Sequence, residues 1–148
     1  MDQRFDPRAG FPAGYEAMLK VSAAVKQSGL DPALIEIAQI RASQINGCAF
    51  CLGMHIPAAR KAGVSQRKLD FLPAWREVPD FDARKRAALE WSETLTRIAD
   101  RGVPDEVHAR VRAVFDENEL GALTFAVMVI NGWNRLMVAA AAPPPPTP

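Results

Sequence analysis

Proline, glycine and helix-capping residues divide this chain into segments of helical length, and this punctuation limits the possible folds more than any other feature. Asp31-Pro32 places an N-cap residue before a proline at the first helical position. Gly29 and Gly63 suit the left-handed residue that ends a helix, and Asn46-Gly47 is typical of a break between helices. The alternating runs typical of strands are almost absent. The sequence therefore predicts an all-α fold.

We expect a single domain, because no internal repeat or linker interrupts the helical pattern. The pattern predicts a bundle of about six to seven helices over residues 12–27, 32–45, 48–62, 65–72, 82–100, 105–115 and 119–141. The predicted domain covers residues 11–141 and follows an N-terminal arm, residues 1–10. Residues 142–148 form a proline-rich tail, which we expect to be polyproline II or disordered.

The charges are nearly balanced, with 18 Lys and Arg against 17 Asp and Glu in 148 residues. This balance argues against nucleic acid or an acidic membrane surface as a partner. The apolar stretch 120–142 contains Asn131, Asn134 and Arg135, which favours a buried helix over a membrane span and predicts hydrogen bonds to other helices or subunits. The N-terminus is too polar for a secretory signal, so we expect a cytoplasmic protein.

Cys48 and Cys51 are the only cysteines, and two residues separate them. A structural disulfide closing so short a loop would constrain the unfolded chain little. In a reducing compartment such a pair is more often redox-active or metal-binding. On a helix, Cys48, Cys51 and His55 fall within about 60° of one another. Cys48 lies in the first turn, where unpaired N–H groups and the helix dipole favour a thiolate.

Glu36 can join this group only if the chain reverses at Asn46-Gly47. On one continuous helix, Glu36 would lie about 18 Å from Cys48. If the two helices instead pack antiparallel, Glu36 comes level with the neighbourhood of His55. A carboxylate beside an imidazole, itself beside a thiol, is the arrangement of an orienting group, a base and a nucleophile. The predicted site therefore comprises Cys48, Cys51, His55 and Glu36.

The spacing E-x11-C-x2-C-x3-H, from Glu36 to His55, resembles the signature of the alkyl hydroperoxidase D family within the carboxymuconolactone decarboxylase superfamily. The resemblance covers about residues 11–138. It includes further segments similar to small single-domain members of the family, namely residues 30–32, 41–48, 62–63, 74–76 and 130–136.

The resemblance implies an all-helical fold, assembled as a homo-oligomer (trimer or hexamer), and a peroxidase that needs no metal, haem or other cofactor. Cys51 would attack the O–O bond of a small hydroperoxide and become a sulfenic acid, and Cys48 would condense with it to a disulfide. A dithiol partner, either a lipoyl protein or a thioredoxin-like protein, would then reduce the disulfide. His55 would deprotonate Cys51, with Glu36 acting through His55.

Phe50 departs from the family pattern, because the best-known peroxidase members carry histidine at this position between the cysteines. Its apolar ring predicts weaker peroxidase activity or a different substrate. Two other functions stay open. A carboxymuconolactone decarboxylase-like enzyme shares the fold, although members with that chemistry typically lack the cysteine pair. A thiol-disulfide oxidoreductase or redox sensor would use Cys48 and Cys51 without requiring His55 or Glu36.

Simpler roles for the same residues are a zinc site and plain core packing. Cys48, Cys51 and His55 supply three ligands, whereas a structural zinc site requires four, and His108 is the only further histidine. Cysteines can also act as small hydrophobic residues, and a lone histidine is often structural. The complete spacing from Glu36 to His55 favours the redox interpretation over both.

Overall fold

The computed structural model describes residues 2–146 and contains no strand within that range. The helices described are α1 (Pro7–Gly10), α2 (Pro12–Lys26), α3 (Pro32–Asn46), α4 (Ala49–Lys61), α5 (Gln66–Phe71), α6 (Ala83–Thr96), α7 (Ile98–Arg101), α8 (Asp105–Arg112) and α9 (Glu117–Ala140). A 3₁₀ helix, Leu72–Glu77, follows α5 directly. The predicted all-α class is therefore confirmed.

The helix predicted over residues 82–100 is instead two helices, α6 and α7. The break lies at Arg97, whose backbone leaves the helical conformation (φ −104°, ψ 30°). The hydroxyl of Thr96, the last residue of α6, accepts a hydrogen bond from the Asn131 side chain of α9 at 3.0 Å. The predicted long helix is therefore interrupted where α6 is tied to α9.

Local capping explains where the longest helices begin and end. The Asp31 carboxylate accepts the Ala33 N–H at 2.9 Å, ahead of α3. Gly47 ends α3 in the left-handed region (φ 65°), which a side chain would make costly. Asp116 and Glu119 form a capping box at the start of α9, each side chain accepting the backbone N–H of the other.

α3 lies at the centre of the bundle and packs against α6, α4 and α9. Its residues are buried around most of the helix, unlike those of an amphipathic surface helix. The buried set runs along most of its length: Leu34, Ile35, Glu36, Ile37, Ala38, Gln39, Ile40, Ala42 and Ser43. Three of these buried residues are polar, Glu36, Gln39 and Ser43, and their side chains therefore require partners inside the protein.

α9 is the one helix within residues 2–146 that is long and apolar enough to cross a membrane by length and composition. It packs against α3, α2 and α6. Asn134 in its second half is fully buried and hydrogen-bonded to α3. These contacts make α9 an integral part of the helical core.

Both ends of the chain return to the bundle. The Arg4 N–H donates to the Ala140 carbonyl (2.8 Å), so the arm lies beside the end of α9. Ala141 then adopts φ 50°, and Pro145 packs against Gly53 of α4. Met1 of the predicted arm and Thr147 and Pro148 of the predicted tail lie outside the described residues, and the expected disorder of the tail stays a prediction.

Candidate active site

The turn between α3 and α4 presents Cys48 at the N-cap of α4. Two backbone hydrogen bonds close the turn, from Gly47 N–H to the Gln44 carbonyl (3.3 Å) and from Cys48 N–H to the Ser43 carbonyl (3.0 Å). The Cys48 sulfur accepts the backbone N–H of Cys51 at 3.3 Å. An N-cap position with a donor N–H aimed at sulfur stabilises a thiolate, so the turn favours a reactive Cys48 when the pair is reduced.

Cys48 and Cys51 form a disulfide, with their Cα atoms 5.4 Å apart. Their exposed fractions are 1% and 3%, so neither sulfur reaches bulk solvent directly. Both belong to a small apolar cluster with Ala42, Ile130 and Met137. The disulfide is therefore packed inside the bundle, and a reductant must gain access to it.

Glu36 and His55 meet as the predicted chain reversal requires. The Nδ1 atom of His55 lies 2.8 Å from Oε2 of Glu36. Glu36 is 7% exposed, and no other side-chain partner of its carboxylate is present within residues 2–146. The Asn46-Gly47 turn therefore makes α3 and α4 an antiparallel hairpin, and it brings together two residues separated by 19 positions.

Three of the predicted site residues lie around one cavity of about 270 Å³. Cys51, His55 and Glu36 form part of its wall, and the wall is otherwise mostly apolar. The side chains come from α2, α3, α4 and α9, and the remaining members are Tyr15, Leu19, Ser22, Val25, Lys26, Ile35, Gln39, Phe50, Met54, Ala58, Ile130, Trp133 and Met137. Three of the four predicted site residues thus share a space large enough for a small organic molecule.

Tyr15 and Trp133 are cavity residues that sequence reasoning missed as site residues. Their rings pack edge to face with centroids 5.0 Å apart, and the Trp133 indole N–H donates to the Ser22 hydroxyl at 2.9 Å. Tryptophan among aliphatic residues predicts core packing, and nothing in the local sequence distinguishes a cavity wall from a core.

Three asparagines connect the α3–α4 turn to α9. The Asn46 amide nitrogen donates to the side-chain oxygens of Asn131 (2.9 Å) and Asn134 (2.8 Å). Asn131 and Asn134 therefore bond between helices of one chain, which is one of the two expected alternatives. Arg135 instead bonds to Asn131 within α9. The sequence indicated Asn46 only as part of a turn, although its position two residues before Cys48 was a signal of a role at the site.

Glu93 of α6 forms a second buried polar cluster. Its carboxylate accepts hydrogen bonds from Arg41 (2.7 Å), Arg76 (2.6 Å) and the Trp75 indole (3.0 Å). Burial by itself would raise the pKa of Glu93, but the hydrogen bonds from Arg76, Arg41 and Trp75 outweigh it and hold the pKa below its usual range. Because its acceptors are already occupied, Glu93 is a structural carboxylate that joins α6 to α3 and the 3₁₀ helix.

The structure places His108 away from the cysteine pair. Its ring lies near that of Trp91, with centroids 6.3 Å apart, in a separate surface depression beside α8 and α9. Within residues 2–146, no group of three or more His, Cys, Asp or Glu side chains is arranged to hold a metal ion. Cys48 and Cys51 are joined to each other, and His55 is paired with Glu36.

Comparison with known proteins gives a family and two relatives. Residues 11–94 match the carboxymuconolactone decarboxylase family. The chain is 39% identical over 139 residues to the uncharacterized protein YdfG of Bacillus subtilis, covering 94% of this chain and 95% of YdfG. It is 32% identical over 107 residues to the uncharacterized protein YnjA of Escherichia coli, covering 72% of this chain and 58% of YnjA.

Two crystal structures share the fold. ATU0492 from Agrobacterium tumefaciens, a protein of unknown function provisionally assigned to antioxidant defence as an AhpD, superimposes with a TM-score of 0.94 at 34% identity. The match covers 99% of this chain and 100% of ATU0492. An uncharacterized peroxidase-related protein from Silicibacter sp. TM1040 gives a TM-score of 0.78 at 23% identity, over 88% of this chain and 69% of that protein.

These matches agree with the geometry of the α3–α4 hairpin, which carries the Cys48–Cys51 disulfide and the Glu36–His55 pair of the motif that resembles alkyl hydroperoxidase D. The chain belongs to the carboxymuconolactone decarboxylase family, as an alkyl hydroperoxidase D-like member.

Proposed function

We propose that this protein is a cysteine-based peroxidase that reduces organic or hydrogen peroxides. The observation that carries the proposal is the arrangement of Cys51, His55 and Glu36 around one cavity. Cys48 is joined to Cys51 by a disulfide. This arrangement supplies a nucleophile, a base, a group that orients the base and a resolving thiol.

In the proposed reaction, the Cys51 thiolate attacks the outer oxygen of the hydroperoxide and breaks the O–O bond. Cys51 becomes a sulfenic acid, and the alkoxide takes a proton to leave as an alcohol. The Cys48 thiolate then attacks the Cys51 sulfur, which forms the disulfide and releases water. A dithiol, such as a lipoyl protein or a thioredoxin-like protein, supplies two electrons and two protons to restore both thiols.

His55 acts as the base in this proposal. In this proposal the Nδ1–H of a neutral His55 donates to the Glu36 carboxylate, and Nε2 keeps a lone pair that can accept the Cys51 thiol proton. The Glu36 charge then stabilises the imidazolium, in the role that an orienting carboxylate has in hydrolytic triads. The same imidazolium can return its proton to the departing alkoxide.

The apolar wall favours hydroperoxides that carry an organic group. Phe50, Met54 and Trp133 offer the cavity surface against which such a group would pack. Hydrogen peroxide has no apolar part to bury there, so it would gain no binding energy from these side chains. Phe50, in place of the histidine of the best-known peroxidase members, adds to this apolar surface.

The direct test is consumption of cumene hydroperoxide by the reduced protein with excess dihydrolipoamide. We expect Cys51→Ser to abolish turnover, Cys48→Ser to permit one turnover without recycling, and His55→Ala to reduce the rate roughly 100-fold or more. His108→Ala is the matched control, since that histidine lies outside the cavity, and it should retain wild-type activity. Full activity in Cys51→Ser would refute the proposal.

A thiol-disulfide oxidoreductase or redox sensor is the second candidate function. The observation in its favour is that the disulfide itself needs neither His55 nor Glu36. Phe50 also places an apolar residue at the sequence position where the best-known peroxidase members carry histidine. An absence of peroxide turnover, combined with rapid exchange between the disulfide and a dithiol, would select this function. Turnover of a carboxymuconolactone would instead favour decarboxylase-like chemistry.

We also propose that the chain assembles as a homo-oligomer, a trimer or hexamer. The support is a set of large apolar side chains that remain at least 40% exposed on the packed helices α2 and α9, namely Leu19, Phe125, Met128 and Val138. Phe125 and Met128 lie three residues apart on one face of α9, and neighbouring exposed apolar side chains are typical of a surface that another copy covers. Sedimentation equilibrium tests this proposal, and a monomer at micromolar concentration would contradict it.

A further inference from the structure

Asn46 has an unusual place among the polar residues of the bundle. It is the last residue of α3, two positions before Cys48. Both N–H groups of its side-chain amide are engaged, one by Asn131 and one by Asn134, at 2.9 and 2.8 Å. The C-terminal end of α3 is thereby attached to the middle of α9, next to the turn that carries the first cysteine.

A second attachment reaches the start of the same turn. The Asn134 amide donates to the Ser43 hydroxyl at 3.0 Å, and that hydroxyl donates to the Gln39 carbonyl at 2.8 Å. Ser43 and Asn134 are both fully buried. The backbone carbonyl of Ser43 accepts the N–H of Cys48. The turn from Ser43 to Cys48 is therefore held to α9 at two points, and the backbone of Cys48 is bonded to one of them.

The far end of the network fixes the orientation of the asparagines. Asn131 donates to the Thr96 hydroxyl (3.0 Å) and to the Val127 carbonyl (2.9 Å), and its side-chain oxygen also accepts from Arg135 (3.0 Å). With its donors committed to α6 and α9, Asn131 can offer only its oxygen to Asn46. A side chain at position 46 must therefore be a donor, and an acceptor there would face two oxygens.

We infer that Asn46 is a positioning residue for the redox pair, holding Cys48 at the N-cap of α4 so that its sulfur stays opposite the Cys51 N–H. This inference rests on the proposed redox function of the two cysteines. The N–H groups at a helix start stabilise a thiolate only when the sulfur is held at the cap. A mobile turn would lose that stabilisation and leave the protein fold otherwise intact.

The test uses Asn46→Asp, which keeps the shape of the side chain and removes both donors. Thr96→Val is the matched control, because it breaks the same network at the end remote from the cysteines, while the Val127 carbonyl and Arg135 still hold the Asn131 amide in its orientation. In the Cys51→Ser background, only Cys48 can react, so the pH dependence of its alkylation by iodoacetamide reports its thiolate. We expect Asn46→Asp to slow alkylation at neutral pH roughly threefold to tenfold and Thr96→Val to leave it unchanged.

The disulfide equilibrium with dithiothreitol, measured with both cysteines present, should shift in Asn46→Asp and not in Thr96→Val. Equal thermal destabilisation in the two variants, with unchanged alkylation and disulfide equilibrium, would show a merely structural role and overturn the inference. Asn46→Ser, which removes the bonds without adding a charge, is measured beside Asn46→Asp in both assays. An effect in Asn46→Asp alone would come from the new carboxylate near Cys48 and would also overturn the inference. No peroxide enters either assay, so failure of the peroxidase proposal would not affect the result.

Discussion

At the scale of single residues, the Glu36–His55 pair is the part of the site that most directly links geometry to chemistry. Glu36 is almost buried, and the imidazole of His55 is the side chain that satisfies its carboxylate. The negative charge of Glu36 therefore acts mainly on His55. Replacing Glu36 should therefore act on His55 first and on the cysteine pair only through it.

We predict that Glu36→Gln lowers the kcat/KM for cumene hydroperoxide roughly 10- to 100-fold, because an amide oxygen can orient the ring but cannot stabilise the imidazolium. Reduction of the disulfide by dithiothreitol should stay within about twofold of wild type. Glu90→Gln is a suitable control, since Glu90 pairs with Arg110 on another part of the surface. A loss of both activities in Glu36→Gln would contradict the assigned role.

The cavity gives a second prediction at this scale. Ala58 lies on its wall, one turn beyond Met54. Ala58→Leu should fill part of the space. Turnover of cumene hydroperoxide should therefore fall by at least fivefold, while turnover of hydrogen peroxide should change little. This difference between the two substrates corresponds to about 1 kcal/mol. Ala109→Leu, on the exposed face of α8, should alter neither rate. Steady-state kinetics with both peroxides decides the outcome.

At the scale of elements, the segment that follows α9 packs against α4. Gly53 lies between Cys51 and His55 in sequence, and a Cβ atom there would come 2.8 Å from Pro145 Cδ. Ala142, earlier in the same segment, packs against the cluster that contains both cysteines. The segment after α9 therefore covers part of the helix that carries the site, and only glycine permits its present position.

We predict that Gly53→Ala displaces this segment and speeds reduction of the disulfide by dithiothreitol at least twofold. Gly121→Ala provides the control, because nothing lies within 4 Å of the added methyl group. It should raise the free energy of unfolding by about 0.5–1 kcal/mol, as expected for alanine in place of glycine in a helix. The free energy of unfolding should rise less in Gly53→Ala, because this variant loses contacts with Pro145. Urea unfolding measures the change in both variants. Equal gains and equal reduction rates would show that the segment does not cover the disulfide.

At the scale of the whole molecule, Glu93 links three elements through one carboxylate. It accepts from Arg41 on α3 and from Trp75 and Arg76 on the 3₁₀ helix. Hydrogen bonds that favour the ionised form lower the pKa of Glu93 despite its burial. A lowered folded-state pKa means that the unfolded chain binds the proton more readily, so Glu93 contributes stability above its unfolded pKa and loses it in acid.

We therefore predict that the free energy of unfolding falls as the pH drops below about 4.5, the usual pKa of a glutamate, toward the lower pKa of folded Glu93. Glu93→Gln should flatten this part of the profile and cost about 3 kcal/mol at neutral pH, because it leaves Arg41 without its counter-charge. Urea unfolding from pH 3 to pH 7 measures both effects. If the free energy of unfolding falls equally steeply with acid in Glu93→Gln, other carboxylates cause the loss of stability.

Local signals in the sequence determined most of the helical architecture and part of the site. Capping residues and proline mark where helices begin. Gly47 marks the turn because a positive φ is costly for a residue with a side chain and costs glycine little. The spacing from Glu36 to His55 then follows from the geometry of a helical hairpin. These features depend on residues near one another in sequence, and such residues carry their own conformational preferences.

Only the tertiary structure decided the partners of Asn46, the carboxylate cluster at Glu93 and the aromatic wall of the cavity. Asn46 meets Asn134 across 88 positions, and Trp133 meets Ser22 across 111. The break at Arg97 also lies where a contact from α9 reaches the end of α6. No local preference encodes such pairs, because the energy that forms them comes from packing whole helices together and from satisfying the polar groups that this packing buries.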